Sequence, residues 1–124
     1  MKTGTLVLML ALALAACRSR STGGTLDEGR ELYASNGCAT CHGAGGRGDG
    51  PVGKTLSPSP RDFQDHAAYT NGSDADSIAA TLARGINRNG AKMPAFAHLS
   101  EQERRSLALF VISLRDTPTE RTAR

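Results

Sequence analysis

Apolar residues recur at helical spacing in three stretches of the chain, and the segments between them lack that rhythm. Leu26, Gly29, Leu32 and Tyr33 fall on one helical face. Thr25-Leu26-Asp27-Glu28 ahead of them spells a capping box, in which the Thr hydroxyl takes one orphan amide and the Glu carboxylate another. Asn36-Gly37 supplies the stop signal. A second helix is expected from Ser73 or Asp74, with Asp74 and Asp76 in a first turn where the helix dipole favours negative charge. Ile78, Ala79 and Leu82 share its inner face, and Arg84-Gly85 end it. The third helix is the most regular. Ser100-Glu101-Gln102-Glu103 is another capping box, and Leu107, Phe110, Val111 and Leu114 follow at i, i+3, i+4 and i+7. Pro118 closes it, and the tail beyond is polar.

Two long segments separate these helices. Gly43 to Gly72 carries Pro51, Pro58, Pro60 and many glycines; Ile86 to Leu99 carries Met93-Pro94. Neither shows an alternating strand pattern, so the fold class expected is all-α, three main helices joined by long loops. Structureless loops of this length in a small domain argue against their own assignment unless they wrap a ligand. Composition points the same way. The chain has 124 residues, enough for one domain, with 4% aromatics and no Trp. A core made from these side chains alone would be thin, and a bound prosthetic group would fill it.

The first residues stand outside that domain. Lys2 precedes an apolar run from Leu6 to Ala16, too short to span a bilayer comfortably and typical of an export signal. It ends in Leu14-Ala15-Ala16-Cys17, which resembles the lipobox of bacterial lipoproteins, where the Cys is lipidated and becomes the first mature residue. Ala13-Leu14-Ala15 would also serve ordinary cleavage. Cysteine arithmetic favours lipidation: of three Cys, Cys38 and Cys41 form one unit, and only a lipid gives Cys17 a purpose. The expected layout is a removed signal at 1–16, a lipidated flexible tether at 17–24, one domain at 25–116 and a polar tail at 117–124.

The sequence pI near 9.0 suggests nucleic acid as a partner, but Lys and Arg are scattered and no basic run is interleaved with aromatics. Gly48-Asp49-Gly50-Pro51-Val52-Gly53-Lys54-Thr55 matches the phosphate-binding string G-x-x-x-x-G-K-[ST]. That mechanism needs a buried strand before the loop and a helix after it. Cys41-His42-Gly43-Ala44-Gly45-Gly46-Arg47 cannot be such a strand, and Leu56-Ser57-Pro58-Ser59-Pro60 cannot continue a helix. No nucleotide is expected there.

Cys38-Ala39-Thr40-Cys41-His42 offers three chemistries. Structural zinc wants a second pair of ligands, and none exists. A thioredoxin-like dithiol wants a βαβ context and a helix starting at the motif, whereas the first helix is expected to end just before it. Cys-x-x-Cys-His is also the signature of covalent haem attachment, each thiol joining a vinyl group through a thioether and the adjacent His meeting the iron. The sixth iron position then falls to Met93, because Met1 and Met9 leave with the signal. Met93 stands before Pro94, which holds it extended, a posture suited to a side chain presented from a loop. His66 and His98 are the rival ligands, each read as a surface histidine.

With "CATCHG", "GDGPVG" followed by "PRDF", and "MPAF" followed by "LSEQER" and a final helix, the chain resembles the class I monohaem cytochromes c from Thr25 to Leu114. The resemblance implies a small cytochrome c fold around one covalent haem c, held by Cys38 and Cys41, with His42 and Met93 as axial ligands. It implies that Gly29 and Tyr33 pack on the last helix near Leu109 and Phe110. It also implies that Pro51 borders His42, its carbonyl receiving the imidazole N–H, and that Arg61 pairs with a haem propionate. With both axial positions filled, the expected role is one-electron transfer rather than catalysis, by a carrier exchanging electrons transiently with redox proteins. The alternative is a fixed haem c subunit of a larger oxidase, reductase or dehydrogenase. The expected place is the periplasmic side of a bacterial membrane, anchored by lipid. By resemblance to Gram-negative sorting, Arg18 after Cys17 points to the outer membrane.

Overall fold

The computed structural model of the chain describes residues 23–117. The export signal, Cys17, most of the tether and the end of the tail lie outside the described residues. The order of elements is α1 (Leu26–Ser35), α2 (Cys38–His42), α3 (Ala75–Arg84), β1 (Ile86–Arg88), β2 (Ala91–Met93) and α4 (Glu101–Arg115), with single 3-10 turns at Gly53–Thr55 and His66–Ala68.

The three long helices start where their caps say. Thr25 accepts from the Glu28 amide, Asp74 from the Ser77 amide, and Ser100 and Glu103 complete a reciprocal capping box. Asp74 is thus the cap itself and Asp76 lies in the first turn. Gly85 ends α3 at φ 69°, a left-handed conformation that suits glycine.

α4 is the centre of the packing. Leu107 and Ala108 are fully buried, and Phe110 and Val111 nearly so. On one side α4 crosses α1, where Gly29 and Tyr33 are buried as the resemblance implied. Tyr33 and Phe110 meet edge to face at 5.2 Å. Glycine is required at position 29, since a Cβ there would stand 2.7 Å from the Ser106 carbonyl carbon and 2.9 Å from Phe110 Cβ. Ser106 is the buried polar group of this crossing. Its hydroxyl accepts from the Thr25 amide at 2.9 Å and donates to the Glu28 carboxylate. Gly24, placed in the tether by the sequence, is half-buried against Ser106. On the other side α4 packs on α3 through Ile78 and Leu82.

Two features depart from the sequence reading. The segment 86–93 is an antiparallel hairpin with Ile86 opposite Met93, Asn87 opposite Lys92 and Arg88 opposite Ala91. Strands of three residues are too short to show alternation, and the turn rests on Asn89 and Gly90, both at positive φ. A one-turn helix also begins at Cys38, where none was expected. The fold remains mostly helical, a small cytochrome c fold.

Candidate functional site

The motif forms the short helix because Gly37, at φ 71°, ends α1 and turns the chain, after which Cys38 to His42 wind one new turn. One turn carries no readable periodicity. The case against a dithiol therefore loses the missing helix and keeps the missing βαβ context. The C-terminal carbonyls of this turn would be orphans. The phosphate-loop look-alike supplies their partners. The amides of Gly48, Gly50 and Val52 donate to the carbonyls of His42, Cys41 and Thr40 at 2.9, 3.1 and 3.0 Å. The glycines let backbone approach backbone here. The amides that would cradle a phosphate are turned to the motif instead.

His42 is half-buried at the end of α2. Its Nδ1 lies 3.2 Å from the carbonyl oxygen of Arg61. An Nδ1–H donating to that carbonyl fixes the tautomer and leaves Nε2 free to bind a metal. Pro51, expected to play this part, is exposed and lies outside the cavity lining. The loop from Gly43 to Pro60 is long enough to bring the backbone of the "PRDF" turn to the imidazole first. Phe63 stacks on the His42 ring with centroids 4.7 Å apart and planes 27° apart. Burial pushes the His42 pKa below the ordinary value, opposed by the Arg61 carbonyl and aided by the Arg61 charge. The ring is thus neutral at neutral pH, the form that ligates.

Met93 is the last residue of β2, half-buried and paired with Ile86. It is presented by a strand end rather than a loop. The chain after it is pinned by the Phe96 amide donating to the Leu82 carbonyl at 2.8 Å. Of the rival ligands, His66 is exposed on its 3-10 turn, and His98 is exposed with Nε2 3.2 Å from Asn36 Oδ1. Neither lines the cavity described next.

That cavity measures about 640 Å³ and gathers Cys38, Cys41, His42, Met93 and Arg61 around one space. Its walls are otherwise largely apolar, with Tyr33, Phe63, Leu82 and Val111 among them. The volume lies in the range of cofactor sites. Burial holds the Cys38 thiol up at about 11, so it is protonated at neutral pH. Tyr33 closes the floor, its hydroxyl donating to the Gly43 carbonyl at 2.7 Å, and burial pushes its pKa up. Arg61 is the telling residue. Its guanidinium lies 5.4 Å from the Tyr69 ring centre, and its Nη1 is buried with no hydrogen-bond partner among the described residues. A buried donor in that state costs about 1–3 kcal/mol, and an anionic group in the cavity would satisfy it. Two thiols, an imidazole, a thioether and a guanidinium with one unsatisfied nitrogen around a largely apolar cavity fit a haem with its propionates.

Fold and site together define a small c-type cytochrome domain. Comparison with known proteins agrees. Residues 24–111 match the family model described as cytochrome c oxidase, cbb3-type, subunit III. The chain is 36% identical over 90 residues to the "Cbb3-type cytochrome c oxidase subunit FixPc" of Rhizobium leguminosarum bv. viciae, a match covering 67% of this chain and 28% of that protein. The chain belongs to the cbb3-type cytochrome c oxidase subunit III family, and it is a monohaem c-type cytochrome that binds haem c covalently. It spans well under half of the relative's length.

Sequence reasoning gave Phe63 and Tyr69 no role at the site. Phe63 stood in the quoted "PRDF" string, but only the folded loop shows which residue's carbonyl and which ring reach His42. Among the described residues no helix is long and apolar enough to cross a membrane.

Proposed function

We propose that this protein relays single electrons through a six-coordinate haem c. In this reading Cys38 and Cys41 hold the haem by thioethers, His42 and Met93 are its axial ligands, and Arg61 neutralises a propionate. The observation that carries it is the meeting of these five side chains on one cavity. Bound haem supplies exchange between ferrous and ferric iron, and thioether ligation raises the potential. The chain's part is to hold geometry. The Arg61 carbonyl orients the imidazole, and the strand end presents Met93. The apolar walls keep water away, so little solvent must reorganise when charge changes.

With both axial positions taken, no iron site is left for substrate, and the domain acts as a carrier rather than a catalyst. The export signal and Cys17 point to a lipid tether on the periplasmic side of a membrane, the outer membrane by the identity of Arg18. Partners are redox proteins met transiently. The relative's name favours a second reading, a fixed subunit of an oxidase complex. Stable co-purification with a large membrane complex separates the second from the first. The test of the function is a spectroelectrochemical titration of the matured protein. One reversible one-electron wave, with no carbon monoxide binding to the reduced form at neutral pH, is the expected result. Rapid carbon monoxide binding would defeat the reading, because it requires an open axial site.

A further inference from the structure

Phe63 lies against the face of the His42 imidazole. Its ring lies 4.7 Å from the imidazole at 27°, close to parallel. Every other handle on Phe63 is held. Its amide donates to the Gly46 carbonyl at 2.7 Å, and its carbonyl accepts from the Tyr69 hydroxyl at 2.9 Å. Its edge meets Tyr33 at 6.5 Å, and it is 7% exposed. Gly46, at φ 71°, leaves the space the ring occupies, since a Cβ there would stand 3.0 Å from Phe63 Cε2 and closer still to Cδ2. The residue two before it, Arg61, accepts at His42 Nδ1. One tripeptide therefore grips the imidazole at two points, by its edge and by its face.

These two grips do different work. A hydrogen bond of 3.2 Å to Nδ1 fixes the tautomer and restrains the ring at one atom, but leaves the plane some latitude to swing about that contact. A flat neighbour lying parallel removes that swing. We propose that Phe63 is a positioning residue that sets the rotational angle of the His42 imidazole plane at the haem, while the Arg61 carbonyl sets its tautomer. The inference rests on His42 being the axial ligand, as proposed above. Tyr69 belongs to the same device, because its hydroxyl anchors the Phe63 backbone.

The angle of an axial imidazole plane governs how unpaired spin spreads over the porphyrin, and proton NMR of the ferric protein reads it directly. The experiment compares the matured wild type with Phe63→Leu, which keeps an apolar side chain and removes the flat face. The second variant is Tyr69→Phe, which keeps every ring and frees only the Phe63 carbonyl. The expected result is a changed order or spread of the haem-methyl shifts in Phe63→Leu. A smaller change in the same direction is expected in Tyr69→Phe, with covalent haem and Met–iron bonding retained in both. Phe63→Tyr, which retains the flat face, should keep the wild-type pattern. Haem-methyl shifts unchanged in Phe63→Leu and Tyr69→Phe overturn the positioning role and leave the axial assignment standing. Absence of hyperfine-shifted imidazole resonances from His42 in the wild type overturns the assignment itself, and the inference with it.

Discussion

Replacing Gly29 by Ala sets two effects of opposite sign against each other. Gly29 lies inside α1, where Ala is favoured over Gly by about 1 kcal/mol on helix propensity alone. An exposed Gly29 would therefore gain stability. The structure says otherwise. The new Cβ would stand 2.7 Å from the Ser106 carbonyl carbon and 2.9 Å from Phe110 Cβ, against ordinary carbon contacts of about 3.5–4.0 Å. The nearest obstacle is the α4 backbone, which cannot rotate away. α1 and α4 must part by about 1 Å, which loosens the Tyr33–Phe110 contact and the Thr25–Ser106 hydrogen bond together. Overpacking of this kind costs about 1–3 kcal/mol. With the whole crossing displaced, the upper figure applies, leaving a net loss of about 2 kcal/mol. For a domain of this size that lowers Tm by roughly 8–16 °C. Thermal melts of the matured protein followed by far-ultraviolet circular dichroism, for wild type and Gly29→Ala, measure it. A Tm equal to or above wild type would refute the close α1–α4 crossing.

Other expectations follow from the site and the caps. Tyr33→Phe leaves the Gly43 carbonyl without its 2.7 Å donor and should cost about 1 kcal/mol in denaturant melts, with the haem spectrum unchanged. Arg61→Leu removes a cation lining the cavity, so on the proposed pairing a haem propionate should titrate at higher pH. The pH-dependent step in midpoint potential then moves upward, whereas an unmoved step shows that Arg61 faces no ionised group. The cap carboxylates of Asp74 and Glu103 are held below their ordinary values of 3.8 and 4.5, Asp74 first by the Ser77 hydroxyl and Glu103 first by the Ser100 amide. Depressed carboxylates contribute stability above the unfolded value and lose it as pH falls through the folded one. Asp74→Asn should therefore lower Tm at neutral pH, where the ionised cap contributes, and flatten part of the acid limb of the Tm–pH curve so that the two proteins converge below about pH 4.

The helices were legible because each announces itself within a few residues. Thr25, Asp74 and Ser100 cap what they begin, and the apolar stripes of α1, α3 and α4 mark the faces that pack, except that Leu26 at the start of the α1 stripe is exposed. The motif at Cys38 was legible because covalent haem chemistry needs fixed residue types at short spacing, whereas Met93 followed only by elimination, as the Met outside the expected signal. What escaped is what depends on where loops travel. The hairpin that carries Met93 has strands of three residues, below the length at which alternation shows. The partner of His42 sits nineteen residues away, at the far end of a loop whose path no local rule fixes. The resemblance placed Pro51 at His42, whereas the folded loop leaves Pro51 exposed and brings the Arg61 carbonyl to Nδ1. The glycine string that spells a phosphate cradle shows the same limit from the other side. Its amides face carbonyls of the motif helix, and only the folded chain reveals which acceptor they meet.

The central claim is that one cavity brings His42 and Met93 to the two sides of a covalently held haem. The far-red absorption band of the oxidised protein, which reports Met–iron bonding, tests it most directly when recorded for wild type and for Met93→Ala matured alike. The account predicts the band in wild type and its loss in Met93→Ala, with the thioether haemochrome spectrum intact in both. A band that survives in Met93→Ala, or a matured wild type without covalent haem, would contradict it.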